Sequence, residues 1–86
     1  MENQIKIIST KLKGLRAENG YSMENVAEKL GIHRETLRKY ENNPSSMEIG
    51  MFLKLLNLYD VETTYFFDLV YGKMPNNELI KENIKE

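Results

Sequence analysis

Apolar residues recur at three- and four-residue intervals along nearly the whole chain, and no segment sustains the two-residue alternation of a half-buried strand. Ile5, Ile8, Leu12 and Leu15 make one stripe and predict a first helix, which Asn19-Gly20 ends. Ser22 is placed to cap a second helix, with Glu24 near the positive end of its dipole. Val26, Ala27 and Leu30 form the inner face of that helix, and Gly31 supplies its stop. A third helix runs from about His33 to Asn42 with Leu37 and Tyr40 inward, and residues 42–46 have the composition of a turn. A fourth helix carries Ile49, Phe52, Leu53 and Leu56. Asp60-Val61-Glu62 breaks it, and Thr63 is placed to cap a fifth, aromatic helix. After a second break from Gly72 to Pro75, Leu79, Ile80 and Ile84 predict a short amphipathic helix in the tail. The expected fold is all-α, with five helices over residues 1–72 and a C-terminal extension over 73–86.

The tightest constraint lies in residues 23–42, where two short helices meet at a three-residue turn. A small residue is needed where those helices cross, and Ala27 stands there. Four positions on, the turn needs a residue tolerant of positive φ, which Gly31 supplies. Ile32 plugs the corner, and Leu37 and Tyr40, three apart, fix the second helix of the pair to the body. Any one of these residues alone carries no information; their joint spacing predicts a helix-turn-helix.

At these residues the chain resembles the Cro and phage-repressor type of helix-turn-helix family. The stretch Gly31-Ile32-His33-Arg34-Glu35-Thr36-Leu37-Arg38-Lys39-Tyr40-Glu41-Asn42 is similar to that family's turn and recognition helix. Lys11-Leu12-Lys13-Gly14-Leu15-Arg16 matches its first helix and Phe52-Leu53-Lys54-Leu55-Leu56 its fourth, so the resemblance spans about Leu12 to Asp68. It implies a five-helix, lambda-repressor-like DNA-binding domain and a transcriptional regulator, specifically a repressor that occludes a promoter. It also implies that Arg16 and Glu41 form a structural ion pair and do not contact DNA. Two positions depart from the family. Met23 stands where a phosphate-bracing glutamine is common, leaving backbone N–H groups for that contact. Asn42-Asn43-Pro44 replaces the usual Gly and basic residues after the recognition helix.

With Leu37 and Tyr40 inward, Glu35, Arg38, Lys39 and Asn42 fall on the exposed side of the third helix, and Arg34 lies at its N-terminal edge. Base contacts in this geometry come from the N-terminal part of the recognition helix. Arg34 and Arg38, one turn apart, each suit a bidentate contact to guanine O6 and N7, worth about 1–3 kcal/mol of discrimination. Lys39 joins them as a base-contacting candidate. Glu35 is the unexpected fourth, since a carboxylate in a groove lined by phosphates is unfavourable unless it accepts from cytosine N4 or holds a neighbouring arginine. Thr36, Asn42 and Asn43 are candidate phosphate contacts, with Tyr21, Ser22 and Met23 at the start of the second helix and His33 at the start of the third.

Charge sharpens the picture. The formal net charge is -1, which by itself argues against a nucleic-acid partner. Residues 1–40, however, hold eight Lys/Arg against five acids, and residues 41–86 hold four against eight. A basic N-terminal half and an acidic C-terminal half allow one face to meet phosphates. Cysteine is absent and histidine occurs once, at His33, so no cofactor or metal is expected. No nucleophile elbow, Gly-rich phosphate loop or paired catalytic acids appear, and an enzyme is not expected. The start Met1-Glu2-Asn3-Gln4 lacks a signal-peptide profile and no stretch approaches about 20 apolar residues, so a cytoplasmic protein is expected. The Lys-, Asn- and Ile-rich composition points to an AT-rich bacterial genome, and the expected source is a bacterium or phage.

The fifth helix, with Tyr65, Phe66, Phe67, Leu69 and Val70, is apolar almost all round and demands burial on more than one side. Those five residues are the expected interface of a homodimer, which would set two recognition helices roughly 34 Å apart on a palindromic operator. The alternative cover is the tail from Asn76, folded back within one chain. An alternative function is an antitoxin or accessory module that binds a partner protein through the acidic, aromatic C-terminal half.

Overall fold

The computed structural model describes residues 2–72. Within them the chain is an assembly of five helices joined by short turns: α1 Glu2–Glu18, α2 Met23–Leu30, α3 Arg34–Asn42, α4 Ile49–Leu58 and α5 Thr63–Tyr71, with a single 3-10 turn at Pro44–Ser46. The tail helix expected beyond Pro75 lies outside the described residues.

Helix α1 is the spine of the fold. Its stripe buries Ser9, Leu12 and Leu15, with Ile8 packed at the edge. It ends where the Asn19 side-chain amide donates to the Leu15 carbonyl at 2.8 Å and Gly20 turns at φ 72°. Helix α2 starts with a reciprocal capping box. The Asn25 N–H donates to Ser22 Oγ at 3.0 Å, and the Ser22 N–H donates to Asn25 Oδ1 at 3.2 Å. It stops at Gly31 (φ 71°, ψ 33°), whose N–H reaches the carbonyls of Ala27 and Glu28, while the Ile32 N–H closes on Ala27. The left-handed backbone at Gly31 turns α3 across α2, as a helix-turn-helix requires.

The core gathers one to three residues from each α-helix: Leu12 and Leu15 from α1, Val26 and Ala27 from α2, Leu37 from α3, Phe52, Leu55 and Leu56 from α4, and Phe66 and Val70 from α5, with Tyr59 after α4. Each fully buried leucine or phenylalanine contributes about 1.5–3 kcal/mol of transfer free energy. Phe52 and Phe66 meet edge-on at 5.5 Å, and Phe66 and Phe67 at 5.4 Å. These T-shaped contacts add to the area term by matching ring edge to ring face.

Three expectations need correction. Ile49 and Leu53 are 71% and 45% exposed, and the inner face of α4 is Phe52, Leu55 and Leu56 instead. Helix α4 is apolar on several sides, so spacing could not choose the buried one. Phe66 and Val70 were expected at a dimer interface, but they are 0% and 7% exposed within a single chain and cannot reach a partner. The N-cap of α5 is Glu62, not Thr63, and its side chain makes no capping hydrogen bond.

Candidate nucleic-acid interface

Helix α3 is held at its C-terminal end from below. Glu41 is fully buried, and its carboxylate receives Arg16 through Nε to Oε2 at 2.8 Å and Nη2 to Oε1 at 3.3 Å. The Ser9 hydroxyl donates to the Glu41 backbone carbonyl. Arg16 Nη1 also donates to the Tyr21 carbonyl at 3.4 Å, so one side chain ties α3 to the entrance of α2. Hydrogen bonding to Glu41 raises the Arg16 pKa above its ordinary value, against the opposing effect of burial. Tyr59 packs beside this pair, and burial pushes its phenol up, with the Glu41 charge adding to the effect.

The opposite side of α3 faces outward. Arg34, Glu35, Arg38, Lys39, Asn42 and Asn43 are exposed, and Thr36 is half-buried. Glu35, Thr36, Arg38, Lys39, Asn42 and Asn43 line one open depression. Three of the four expected base-contacting residues, Glu35, Arg38 and Lys39, therefore share this depression with three expected phosphate contacts, Thr36, Asn42 and Asn43, while Arg34 is exposed at the first position of α3 and is not part of its lining. Leu37 is fully buried and Tyr40 half-buried on the inner side.

The remaining candidates fare unequally. His33 is the N-cap of α3 and is exposed, though its side chain makes no capping bond. Ser22 is exposed at the start of α2, where its Oγ accepts from Asn25 and keeps a hydroxyl proton to donate. Met23 and Tyr21 pack their side chains partly against the core. What Met23 can offer an anion is its backbone N–H at the positive end of the α2 dipole. Tyr21 leans on Tyr59 with ring centroids 6.3 Å apart, and Lys29 Nζ lies 5.6 Å from the Tyr21 ring. Lys29 was not read from the sequence as part of this face, because nothing local to Lys29 signals a ring eight residues earlier.

Two further residues escaped the sequence reading. Ser45 Oγ donates to Asn43 Oδ1 at 2.7 Å, and Ser46 Oγ donates to the Asn43 carbonyl at 2.8 Å. With its oxygen engaged by Ser45, the Asn43 side chain still has two amide donors, the group a phosphate contact needs. The composition of residues 42–46 marked a turn but not this arrangement.

Among the described residues, no helix is long and apolar enough to cross a membrane, and no group of three His, Cys, Asp or Glu could hold a metal ion.

Residues 12–66, more than half of the chain, match the model of the helix-turn-helix family. The chain is 32% identical over 78 residues to a protein of Pyrococcus horikoshii whose name places it among HTH-type transcriptional regulatory proteins. Similarly named proteins of Saccharolobus islandicus and Pyrococcus furiosus are 37% identical over 84 residues and 29% over 86. These alignments cover 91%, 95% and 91% of the chain but only 25%, 26% and 27% of the three relatives. The chain thus spans about a quarter of the length of the curated relatives it matches. Those relatives are archaeal and give no support to the expected bacterial or phage source. No solved structure gives a significant match. Capping box, left-handed Gly31, buried Leu37 and exposed basic α3 coincide with the matched span, and the chain belongs to the XRE-like helix-turn-helix family.

Proposed function

We propose that this chain is a DNA-binding transcriptional regulator that reads the major groove with α3. One observation carries the reading: α3 turns Leu37 and Glu41 into the body while Arg38 and Lys39 stand exposed along its outer side and Arg34 is exposed at its N-terminal edge. A solvated basic face alone would be unremarkable. Here it lies on the second helix of a helix-turn-helix and is locked at its far end by Arg16 and Glu41. The N-terminal part of α3 supplies base contacts through Arg34 and Arg38, and Lys39 follows one residue on. Ser22, the Met23 N–H, Thr36, Asn42 and Asn43 contact phosphates and set the register. The names of the archaeal relatives agree with such a role.

The regulator acts as a homodimer on a palindromic operator, and repression follows from occlusion of a promoter. Within α5, Tyr65 and Tyr71 are half-exposed and Phe67 and Leu69 partly so, which leaves apolar surface for a second copy after Phe66 and Val70 are buried. A second reading, a module that binds a partner protein, is favoured by the exposed Ile49 and Leu53 on α4.

Selection from a random duplex library at about 150 mM salt tests the reading, because non-specific phosphate binding is weak there. An enriched inverted repeat with half-sites about one helical turn apart is expected. Binding without enrichment, disappearing as salt rises, would leave the module reading in its place.

A further inference from the structure

The exposed side of α3 carries an ion pair that base reading by arginine does not by itself explain. Arg38 Nε donates to Glu35 Oε1 at 3.0 Å, and Arg38 Nη2 approaches the same oxygen at 2.9 Å. Both side chains are well exposed, 69% for Glu35 and 59% for Arg38. A carboxylate on a surface that meets phosphates opposes binding, so its presence there needs a compensating effect.

The geometry of the guanidinium supplies one. Arginine has five N–H donors in a rigid planar fork. Glu35 Oε1 takes the side edge, formed by Nε and Nη2. The end edge, with one donor from Nη1 and the second donor of Nη2, stays open. That edge presents two parallel donors, as guanine O6 and N7 require. An unpaired arginine on a flexible stem would instead meet any phosphate within reach. Among the described residues, Glu35 Oε2 has no partner of its own, so the pair is not drawn away by a third group.

We propose that Glu35 is a positioning residue that holds the end edge of Arg38 towards a guanine in the major groove, raising base specificity while lowering non-specific affinity. This rests on the DNA-binding reading above. Because neither side chain is buried, substitutions at either position leave the core packing untouched.

The test compares the wild-type protein with E35A, E35Q, R38A and E35A/R38A by fluorescence anisotropy. The duplexes are the one enriched by the wild type, the same duplex with each guanine replaced in turn, and a scrambled duplex. E35A is expected to tighten binding to the scrambled duplex and to lose about tenfold of the preference for one guanine, which is the discrimination of one bidentate contact. E35Q keeps an acceptor oxygen and retains more of that preference. In the R38A background, E35A should no longer alter any guanine preference. In the free protein, the Arg38 Nε–H resonance in a 15N spectrum should move in E35A.

Equal tightening on every duplex with base preferences unchanged would reduce Glu35 to a repulsive charge and overturn the inference alone. A wild-type protein that enriches no sequence overturns the DNA reading, and the inference falls with it. An Arg38 resonance indifferent to E35A removes the ion pair itself.

Discussion

The guanidinium of Arg16 on α1 grips the fully buried carboxylate of Glu41 on α3 through two hydrogen bonds, across 25 residues of sequence. The same arginine reaches the Tyr21 carbonyl, and Ser9, two turns earlier on the same face of α1, holds the Glu41 carbonyl. Helix α1 therefore works as a splint. It fixes both the entrance to α2 and the far end of α3, so that the exposed residues of α3 keep a defined bearing.

Replacing Arg16 with alanine leaves the Glu41 carboxylate buried without its counter-charge. Arg16 is about one-fifth exposed, so water softens the loss. Destabilisation at the lower end of about 3–5 kcal/mol is expected from urea unfolding followed by circular dichroism. Converting the pair together, as R16M/E41L, should cost less than R16A alone, because no uncompensated charge remains. An R16A midpoint equal to wild type would show that the pair does not hold α3.

Tyr59 makes the opposite case. It is 3% exposed, and its hydroxyl finds no hydrogen-bond partner among the described residues. An unpaired buried hydroxyl costs about 1–3 kcal/mol, so Tyr59→Phe should leave stability at pH 7 unchanged or raise it. The pH dependence follows from the raised pKa. In the unfolded chain the phenol ionises near pH 10, whereas burial keeps it protonated in the fold. The folded pKa thus lies above the unfolded one. Its contribution to stability is complete below about pH 10 and is lost as pH rises beyond it. Unfolding midpoints of the wild type should therefore fall more steeply above that pH than those of Tyr59→Phe. Parallel profiles would mean that Tyr59 titrates alike in both states.

Gly31 turns the motif at φ 71°, with no heavy atom within 4 Å of where a Cβ would stand. Gly31→Ala therefore meets no steric clash, and its penalty is backbone strain alone, about 1–2 kcal/mol. Gly31→Asn should lose less, since asparagine tolerates the left-handed region. Thermal melts of the two variants decide it. A loss in Gly31→Ala well beyond that range would point to a change in how α2 and α3 cross.

For the proposed dimer, Phe67 is a poor probe. It packs against Phe52 and Phe66 at 6.0 and 5.4 Å, and a charge there would damage the core as well as any interface. Tyr65→Asp and Tyr71→Asp are cleaner, because these rings are 51% and 50% exposed. Sedimentation equilibrium should show a folded monomer in at least one of them and a dimer in the wild type. Wild-type mass equal to one chain would remove the palindromic-operator arrangement, though not DNA binding by a single α3.

Much of this protein could be read from spacing. Five helices, the turn at Gly31, the inward Leu37 and the basic outer side of α3 all follow from local rules, since a helix period and a left-handed glycine act within a few residues. The reading weakened where many apolar residues crowd one helix. On α4, Ile49 and Leu53 were as eligible for burial as Leu55, and on α5 nearly every position was.

By itself, then, the sequence determined the order of the helices, the site of the turn and which residues of α3 could face a groove. The tertiary structure alone decided which sides of α4 and α5 close the core, burying Phe66 and Val70 and leaving Ile49 and Tyr65 outside. It alone brought the Ser9 hydroxyl onto the Glu41 carbonyl and Lys29 over Tyr21. The physical reason is that hydrophobic transfer free energy is non-directional: it says that an apolar side chain should leave water, not which neighbour it should meet. Hydrogen bonds and ion pairs are directional, but only the packed chain brings their partners within 3 Å or so of one another.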